Sequence, residues 1–250
     1  MTTPLVEMRD MHISFGGIKA VDHVNVDLYP GEVVGVLGHN GAGKSCLMKM
    51  LSGAYKSDGG EIYVNGELAT IHNPRDARTY NIETIYQTLA LADNLDAASN
   101  LFLGRELTTK FGLVDDALME GETRKIMKRL NPNFERFSSP VSALSGGQRQ
   151  SVAIARAVYF DAKILIMDEP TAALGVQETQ MVADLIDELK KQGIGIFLID
   201  HDIHQVKMLC DRASVMKNGK LVGTVDVDKV TEDDLLAMII LGENPKNKSS

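Results

Sequence analysis

The chain has 250 residues, enough to bury a full hydrophobic core in one large or two modest domains. Its composition is typical of a globular protein, with 44% hydrophobic and 24% charged residues, and its formal net charge of −8 argues against a broad nucleic-acid-binding face. The two cysteines, Cys46 and Cys210, form no disulfide framework, so we expect a reducing compartment such as the cytosol.

The sequence predicts neither a secretory signal nor a membrane-spanning helix. Glu7 and Asp10 lie in the N-terminal segment where a signal peptide needs an apolar run. No stretch approaches the roughly 20 apolar residues that a spanning helix requires. If the protein works at a membrane, we therefore expect another chain to anchor it.

The first part of the chain is predicted to form strands and one glycine-led helix. Alternation of apolar and polar residues over 5–15 and 24–30 indicates antiparallel strands. The apolar run in GEVVGVL, at 31–37, indicates a buried strand that leads through a glycine loop into a helix from about 44 to 51. Further strands are expected near 61–65 and 82–86.

The segment from about 88 to 145 has a different pattern. Stretches such as DDALMEGETRKIMKRL show helical spacing, and loop signals such as NPNF and FSSP separate them. We interpret this segment as a helical subdomain within a single domain that spans 1–250.

After residue 145 the pattern becomes helix–strand alternation. Buried strands that alternate with helices predict a mostly parallel sheet covered on both faces, so the fold class is α/β. The expected elements are strands AKILIMD and IGIFLID, helices at 176–191, 202–209 and 231–240, a strand pair near 212–225, and a disordered tail from about 244 to 250.

The most specific motif is GHNGAGKS, Gly38–Ser45, which matches the P-loop pattern G-x-x-x-x-G-K-S/T between a predicted strand and helix. The glycines let backbone N–H groups surround a phosphate, Lys44 reaches the β- and γ-phosphates, and Ser45 ligates Mg²⁺. The alternative is a chance glycine turn. The expected ATP-binding residues of the loop are Gly38, His39, Asn40, Gly41, Ala42, Gly43, Lys44, Ser45 and Cys46; His39 contributes mainly its backbone.

Two adjacent carboxylates end the strand in ILIMDEP. A buried strand that delivers Asp168 beside the P-loop supplies the second Mg²⁺ ligand of a nucleotide hydrolase. Glu169, the next residue, is then placed to polarise the attacking water. Taken alone, the stretch also fits a strand that runs into an acidic turn.

Three further side chains are weaker candidates. His201 follows the last apolar strand, at the edge where α/β proteins gather their ligand sites. Gln87 is a candidate to approach Mg²⁺ and water, and Phe15 either stacks on a purine ring or packs internally. Structural or surface roles are expected for His12, His23, His72 and His204, and no Cys/His cluster with metal-ligand spacing is found.

A second anion-binding turn occurs in LSGGQ, more than a hundred positions after the P-loop. Ser145, Gly146, Gly147 and Gln148 offer a hydroxyl, backbone N–H groups and an amide at the start of a predicted helix, where the helix dipole favours a phosphate. A simple capped turn is the alternative.

These motifs, in this order from Phe15 to about Gly242, resemble the ATP-binding cassette (ABC) family. In that family two cassettes pair head to tail, and the signature loop of one closes on the γ-phosphate held by the other. The resemblance implies a P-loop fold with an antiparallel β subdomain and a helical subdomain, with ATP and Mg²⁺ as cofactors. It further implies that Ser145, Gly146, Gly147 and Gln148 act in trans, on a second cassette.

The resemblance also assigns roles to single residues. Glu169 is implied to be the general base and His201 to sense and stabilise the γ-phosphate. Gln87 is implied to join Ser45 and Asp168 at the Mg²⁺ ion. Phe15 is implied to stack on adenine.

Within the family, the stretch IYQTLALADNLDAASNLFLGRE, at 85–106, is similar to importers of simple sugars such as ribose, xylose, galactose or fructose. Most ATPase subunits of that class are two fused cassettes, whereas EPTAALGVQE resembles the single-cassette members, with the fructose type nearest. The implied partners are membrane permease subunits that dock after Gln87 and, indirectly, a sugar-binding protein, with no nucleic acid. The implied location is the cytoplasmic face of the membrane.

Two positions depart from the family pattern. Cys46 replaces the usual threonine, and Gly175 replaces the aspartate that usually contacts the paired cassette. A branched-chain amino-acid or lipid importer is the alternative within transport. A soluble ABC protein of DNA repair or translation is disfavoured by the acidic charge and the single cassette, and a non-hydrolysing sensor by the presence of both Asp168 and Glu169.

Overall fold

The computed structural model describes residues 3–172 and 174–243, so the predicted disordered tail lies outside the described residues. The chain forms two compact units. The first comprises Met1–Thr84, Ala162–Glu169 and Leu189–Ser250, and the second comprises Ile85–Asp161 and Pro170–Glu188. The segment predicted as a helical subdomain, about 88–145, lies in the second unit.

The strands are β1 (Val6–Phe15), β2 (Ile18–Leu28), β3 (Val33–Leu37), β4 (Gly59–Val64), β5 (Glu67–Ala69), β6 (Ile82–Ile85), β7 (Ile164–Asp168), β8 (Gly195–Asp200), β9 (Arg212–Lys217) and β10 (Lys220–Asp226). The helices are α1 (Lys44–Leu51), α2 (Pro74–Thr79), α3 (Ala97–Phe102), α4 (Asp116–Leu130), α5 (Gly146–Tyr159), α6 (Val176–Lys191), α7 (Ile203–Leu209) and α8 (Glu232–Leu241).

The strands form two sheets. Four of them form an antiparallel sheet in the order β2-β1-β4-β5. The other six have the order β10-β9-β3-β8-β7-β6, and β9, β3, β8 and β7 run parallel to one another. Every residue of β3 and β8 is buried, as expected for parallel strands covered on both faces. The predicted α/β class is therefore confirmed.

The parallel register brings three strand ends to one edge of the larger sheet. Leu37, the last residue of β3, pairs with Asp200, and Asp168 of β7 pairs with Ile199 of the same neighbouring strand. Ligand sites of open α/β sheets lie at this carboxyl edge. The loop after β3 and the carboxylates that end β7 and β8 are therefore neighbours.

The second unit is mainly helical and has its own aromatic core. Phe102 of α3 is fully buried, and its ring lies edge-on to Tyr159, with 4.7 Å between the ring centroids. Buried Asn100 organises the preceding loop: its amide oxygen accepts from the Ala92 N–H at 2.7 Å, and its nitrogen donates to the carbonyls of Ala92, Leu95 and Asp96. One buried amide thus satisfies four backbone groups of the turn.

Three elements differ from the sequence-based expectation. The second strand begins at Ile18 instead of 24, because the pairing of β1 with β2 shifts register and His23 adopts a left-handed φ of 56°, which breaks the alternation. The three-residue strand β5 and the short helix α2 were not predicted. The start of α2 does carry a signal, since Asn73 caps it and Pro74 is its first residue.

Among the described residues, no helix is both long and apolar enough to cross a membrane.

Phe197 is fully buried in the central strand β8, so its substitution measures how much the apolar core stabilises the first unit. We expect Phe197→Ala to lower the free energy of unfolding by about 3–5 kcal/mol, because it removes apolar contacts and leaves a cavity. Phe111→Ala is the control, since that ring is 91% exposed and its loss should cost less than ~0.5 kcal/mol. Urea unfolding of both variants measures the difference, and equal losses would contradict this description of the core.

Candidate active site

The loop between β3 and α1 has a backbone that only glycine accommodates. Gly38, Gly41 and Gly43 have φ values of 152°, 82° and 103°. A Cβ atom on Gly38 would clash with the carbonyl oxygen of Met216, and one on Gly43 with that of Ala20. The glycines of the motif therefore permit both the left-handed turns and the close approach of neighbouring backbone.

Lys44, the first residue of α1, lies beneath this loop. Its side chain is nearly inaccessible, with the residue 7% exposed, and Nζ donates to the carbonyl oxygens of Gly38 at 2.6 Å and His39 at 3.1 Å. Burial lowers the pKa of the ammonium, whereas nearby carboxylates raise it. In order of influence, those carboxylates belong to Glu169, Asp168 and Asp200.

The loop opens into a cavity of about 550 Å³ that lies wholly in the first unit. Ser45 and Asp168 both line it, and their hydroxyl and carboxylate oxygens are the type of ligand that Mg²⁺ prefers. The residues present therefore fit a magnesium ion. The lining consists of Ile18, Lys19, Ala20, Asn40, Gly41, Ala42, Gly43, Lys44, Ser45, Cys46, Asp168, Glu169, Ile199 and Asn218.

Asp168 is a half-buried carboxylate at the end of β7. Burial and the neighbouring Glu169 carboxylate raise the pKa of Asp168, against the lowering influence of Lys49 and Lys44. A divalent cation would offset both unfavourable effects, because it supplies the positive charge that the desolvated carboxylate lacks.

Glu169 is held in an unusual conformation beside His201. Its φ is 47°, a left-handed value that is uncommon outside glycine, and its N–H donates to the Ile199 carbonyl at 2.9 Å. The carboxylate Oε1 lies 2.7 Å from Nδ1 of His201. The strained residue thus places its carboxylate at the cavity and in contact with the predicted histidine.

Asp200 orients the turn that carries His201, a role that sequence reasoning missed. Its buried carboxylate accepts the backbone N–H of His201 at 2.7 Å and that of Asp202 at 2.9 Å. Burial raises the pKa of Asp200, against the lowering effect of these two hydrogen bonds. An acidic residue that ends an apolar strand, directly before a candidate histidine, was the available signal.

The start of α5 is a capped helix terminus in the second unit. The Ser145 hydroxyl oxygen accepts the N–H of Gln148 at 3.3 Å, and the Gln148 side-chain oxygen accepts the N–H of Ser145 at 3.1 Å. This reciprocal capping box leaves the remaining N–H groups of the first turn directed out of the helix end. The predicted anion-binding turn therefore has the expected local form.

The sequence matches the family model for ABC transporters over residues 21–172. Its curated relatives include the xylose/arabinose import ATP-binding protein XylG of Sulfolobus acidocaldarius, 46% identical over 233 residues that cover 91% of this chain and 92% of that protein. The chain belongs to the ABC transporter family. It is accordingly an ATPase of the kind that is coupled to transport, and the sequence-based prediction of an ABC-type P-loop fold is confirmed.

Other relatives of this ABC chain differ in length. The fructose import ATP-binding protein FrcA of Rhizobium meliloti is 38% identical over 253 residues, covering 98% of this chain and 97% of that protein. The ribose import ATP-binding protein RbsA of Caldanaerobacter subterraneus is 41% identical over 95% of this chain, but the chain spans only 48% of its length. Among solved structures, the ADP conformation of MJ1267, an ATP-binding cassette of an ABC transporter, has a TM-score of 0.81 at 26% identity, covering 98% of this chain and 97% of that one.

Outside the turn at 145–148, five predicted residues are not part of the cavity lining: Phe15, Gly38, His39, Gln87 and His201. Phe15 is 46% exposed, and its ring lies edge-on to Tyr55 with 5.4 Å between centroids, so it remains a candidate for base stacking. His201 joins the site through its contact with Glu169. Gln87 belongs to the second unit, in an exposed turn after β6. The carbonyls of Leu89 and Ala90 in that turn accept hydrogen bonds from Arg156.

Glu178 of α6 is a second residue that the sequence analysis missed. Its carboxylate accepts the N–H groups of Gly147 at 3.4 Å and Gly175 at 3.3 Å. Hydrogen bonds from the Gly175 backbone and the Ser145 hydroxyl hold the pKa of Glu178 below its ordinary value. A side chain on Gly146 would lie 2.5 Å from Leu174, so that glycine lets the two segments approach. A carboxylate of the same chain thus lies at the N-terminus of α5.

We expect Glu178→Ala to weaken the contact between the start of α5 and the loop before α6, because the carboxylate accepts hydrogen bonds from the backbones of both. Amide hydrogen exchange at Gly147 and Gly175 should accelerate about five- to tenfold. Asp187→Asn, an exposed change on the same helix, is the control and should leave both rates unchanged.

The hydrogen bonds from the Gly147 and Gly175 N–H groups to the Glu178 carboxylate should weaken as the pH falls. Because the folded-state pKa of Glu178 is depressed, its contribution is present above the ordinary glutamate pKa of about 4.3 and is lost as the pH falls through the folded-state value. Exchange rates at Gly147 and Gly175 that are the same in Glu178→Ala as in the wild type would show that the contact carries no free energy.

Proposed function

We propose that the chain is the ATP-hydrolysing subunit of an importer of simple sugars. It acts as a pair of cassettes beneath a membrane permease, at the cytoplasmic face, and a sugar-binding protein delivers the substrate. The arrangement that best supports hydrolysis is the cavity shared by the glycine loop, Lys44, Asp168 and Glu169. The sugar class rests on end-to-end similarity to xylose/arabinose and fructose import proteins. We therefore propose a monosaccharide, pentose or hexose, as the transported solute.

When the nucleotide binds, the Lys44 ammonium exchanges its hydrogen-bond acceptors. In the structure its ammonium donates to the carbonyls of Gly38 and His39. Phosphate oxygens of ATP take over these hydrogen bonds, and the ion pair compensates for the burial that lowers the pKa of the ammonium. Backbone N–H groups of the glycine loop complete the cradle, and the exposed ring of Phe15 stacks on adenine.

Ser45 and Asp168 would hold the magnesium ion, and the family resemblance adds Gln87 as a proposed further ligand. The ion, when bound, neutralises charge on the β- and γ-phosphates. Asp168 contributes as a carboxylate rather than as a carboxylic acid, because the cation favours its ionised form despite burial.

Glu169 accepts a proton from the attacking water. Its contact with Nδ1 of His201 fixes the carboxylate in the cavity, and the bond is satisfied when His201 donates from Nδ1. The other ring nitrogen, Nε2, is then left for a γ-phosphate oxygen. The histidine in this way links the position of the base to the presence of the phosphate that the water attacks.

A second cassette supplies the remaining donors. The first turn of α5 offers the N–H groups of Gly146 and Gly147 and the Ser145 hydroxyl, while Gln148 caps the turn. Each chain carries one glycine loop and one signature loop, so two antiparallel copies complete two sites. Glu178 must release the Gly147 N–H when a γ-phosphate binds there.

Glu169→Gln tests the assignment of the base. We expect hydrolysis to fall by about 10²–10⁴ while ATP binding is retained, because glutamine cannot accept the proton. Gel filtration with Mg-ATP should then show a stable dimer, since the sandwiched nucleotide is not consumed. Glu67→Gln, an exposed change on β5, is the control. Normal turnover by Glu169→Gln would contradict the assignment.

The permease is proposed to dock on the loop and helix that follow Gln87. Leu91 and Leu95 are partly exposed there, on a turn that Asn100 holds rigid. In the assembled complex, Leu91→Asp or Leu95→Asp should reduce sugar-stimulated ATP hydrolysis at least about tenfold without changing nucleotide affinity, because a charge disrupts an apolar contact.

Leu113→Asp is the matched control for docking, since Leu113 is 69% exposed in the same unit. The ligand carried by the binding protein tests which class of solute is transported. A binding protein loaded with xylose, ribose or fructose should stimulate ATP hydrolysis, and one loaded with leucine should not. Full stimulation of the Leu91 and Leu95 variants would place the docking surface elsewhere.

Gly175→Asp tests the departure from the family pattern. A Cβ atom added to Gly175 would meet no other heavy atom within 4 Å, and the residue directly precedes α6, where an aspartate is well tolerated. We expect the ATPase rate to change by less than about tenfold, because the groups proposed for phosphate and metal chemistry are all present. A gain of about a hundredfold would show that the missing carboxylate limits this subunit.

A further inference from the structure

The pairing of β1 with β2 brings together three residues with metal-ligating side chains. Asp10, His12 and His23 each offer one ligand atom, and these atoms all lie within 4.8 Å of one another. They form the one group of three such residues found within 3–172 and 174–243. Sequence spacing did not reveal it, since the two histidines come from different strands. The expectation of structural or surface roles for both histidines was made without knowledge of this pairing.

Hydrogen bonds fix the imidazole of His12 in the form that binds metals. Nδ1 of His12 lies 2.8 Å from the backbone carbonyl oxygen of Asp10. A carbonyl oxygen only accepts, so Nδ1 donates, and in the neutral imidazole the lone pair is then on Nε2. Histidine ligands of metals usually donate their other N–H to a carbonyl or carboxylate in this way.

His23 already contacts the carboxylate that would share the ion. Its Nδ1 lies 2.6 Å from Oδ1 of Asp10, and its ring lies 4.7 Å from that of His12, measured between centroids. An ion that enters between Nδ1 and Oδ1 replaces the proton of this hydrogen bond, which leaves to solvent or moves to Nε2. A further carboxylate oxygen, of Asp22, lies 3.9 Å from Nε2 of His23.

The backbone around the three residues departs from regular strand geometry. Asp10 and His23 have left-handed φ values of 55° and 56°, at irregularities in the strand pairing. The Asp10 N–H donates to the Asn25 side chain at 2.8 Å. A side chain on Gly59 would lie 2.5 Å from the His12 ring, so that glycine leaves the space which the ring occupies.

We propose that Asp10, His12 and His23 bind one divalent transition-metal ion of the zinc type. Two imidazoles and one carboxylate match the three protein ligands of an open zinc site, and nitrogen ligands disfavour Mg²⁺ and Ca²⁺. The bound ion joins β1 to β2 and thereby stabilises the folded chain, since the unfolded chain has no such arrangement. The site is separate from the nucleotide cavity, whose lining contains none of the three residues.

Zinc titration of the full chain without nucleotide tests the proposal. Asp10→Asn and His23→Asn each remove one ligand, and asparagine tolerates the left-handed backbone at both positions. His204→Asn is the matched control, because exposed His204 is also paired with a single carboxylate, that of Glu232 at 3.5 Å, but belongs to no group of three ligands among the described residues.

Calorimetry should show one Zn²⁺ per chain for the wild type and for His204→Asn, with affinity reduced at least about tenfold in the two ligand variants. Saturating zinc should raise the unfolding temperature of the first two proteins only. The Co²⁺-loaded protein should lack a thiolate charge-transfer band, which excludes binding through Cys46. Equal zinc affinity in all four proteins, or none in the wild type, would overturn the proposal.

Discussion

The buried ammonium of Lys44, held against the carbonyls of a left-handed glycine loop, is the contact on which the rest of the site depends. Three carboxylates face this cation in a partly desolvated cavity. Burial disfavours the charged form of these groups, with the pKa lowered for Lys44 and raised for Asp168 and Asp200. A ligand that brings both phosphate and a divalent cation supplies negative charge beside the ammonium and positive charge beside the carboxylates.

The two turns proposed to bind anions differ in what their backbone donors contact. Residues of the glycine loop after β3 line an open cavity, whereas the first turn of α5 contacts the carboxylate of Glu178. A helix N-terminus with unsatisfied N–H groups is costly, so a carboxylate from the same chain is a reasonable occupant until a phosphate replaces it. On the proposed trans arrangement, dimer formation includes this exchange of anions.

Sequence patterns predicted the long or strongly apolar elements and missed those set by tertiary contacts. The helices at 44–51 and 176–191 have the predicted bounds, because a glycine loop and a long amphipathic period mark them locally. The early start of β2 went unseen because strand irregularities break its alternation. Motif spacing likewise predicted Lys44 and Asp168, whose chemistry depends on local geometry.

Residues that act through distant partners had no such local signal. Glu178 is more than thirty positions from the turn that it caps, and His23 meets Asp10 only through antiparallel pairing. Asp200 was visible as an acidic strand end, but its function as the acceptor for the turn at His201 needs the structure. Local periodicity specifies elements, whereas long-range pairing assigns these side chains their partners.

We propose that each hydrolytic site combines the glycine loop of one chain with the LSGGQ turn of another. An equal mixture of Lys44→Ala and Ser145→Arg chains tests it most directly. Each variant alone should be inactive, and the mixture should recover about a quarter of wild-type ATPase activity, because half of the dimers are mixed and each of these has one intact site. A mixture that dimerises, yet stays as inactive as either variant alone, would contradict the account.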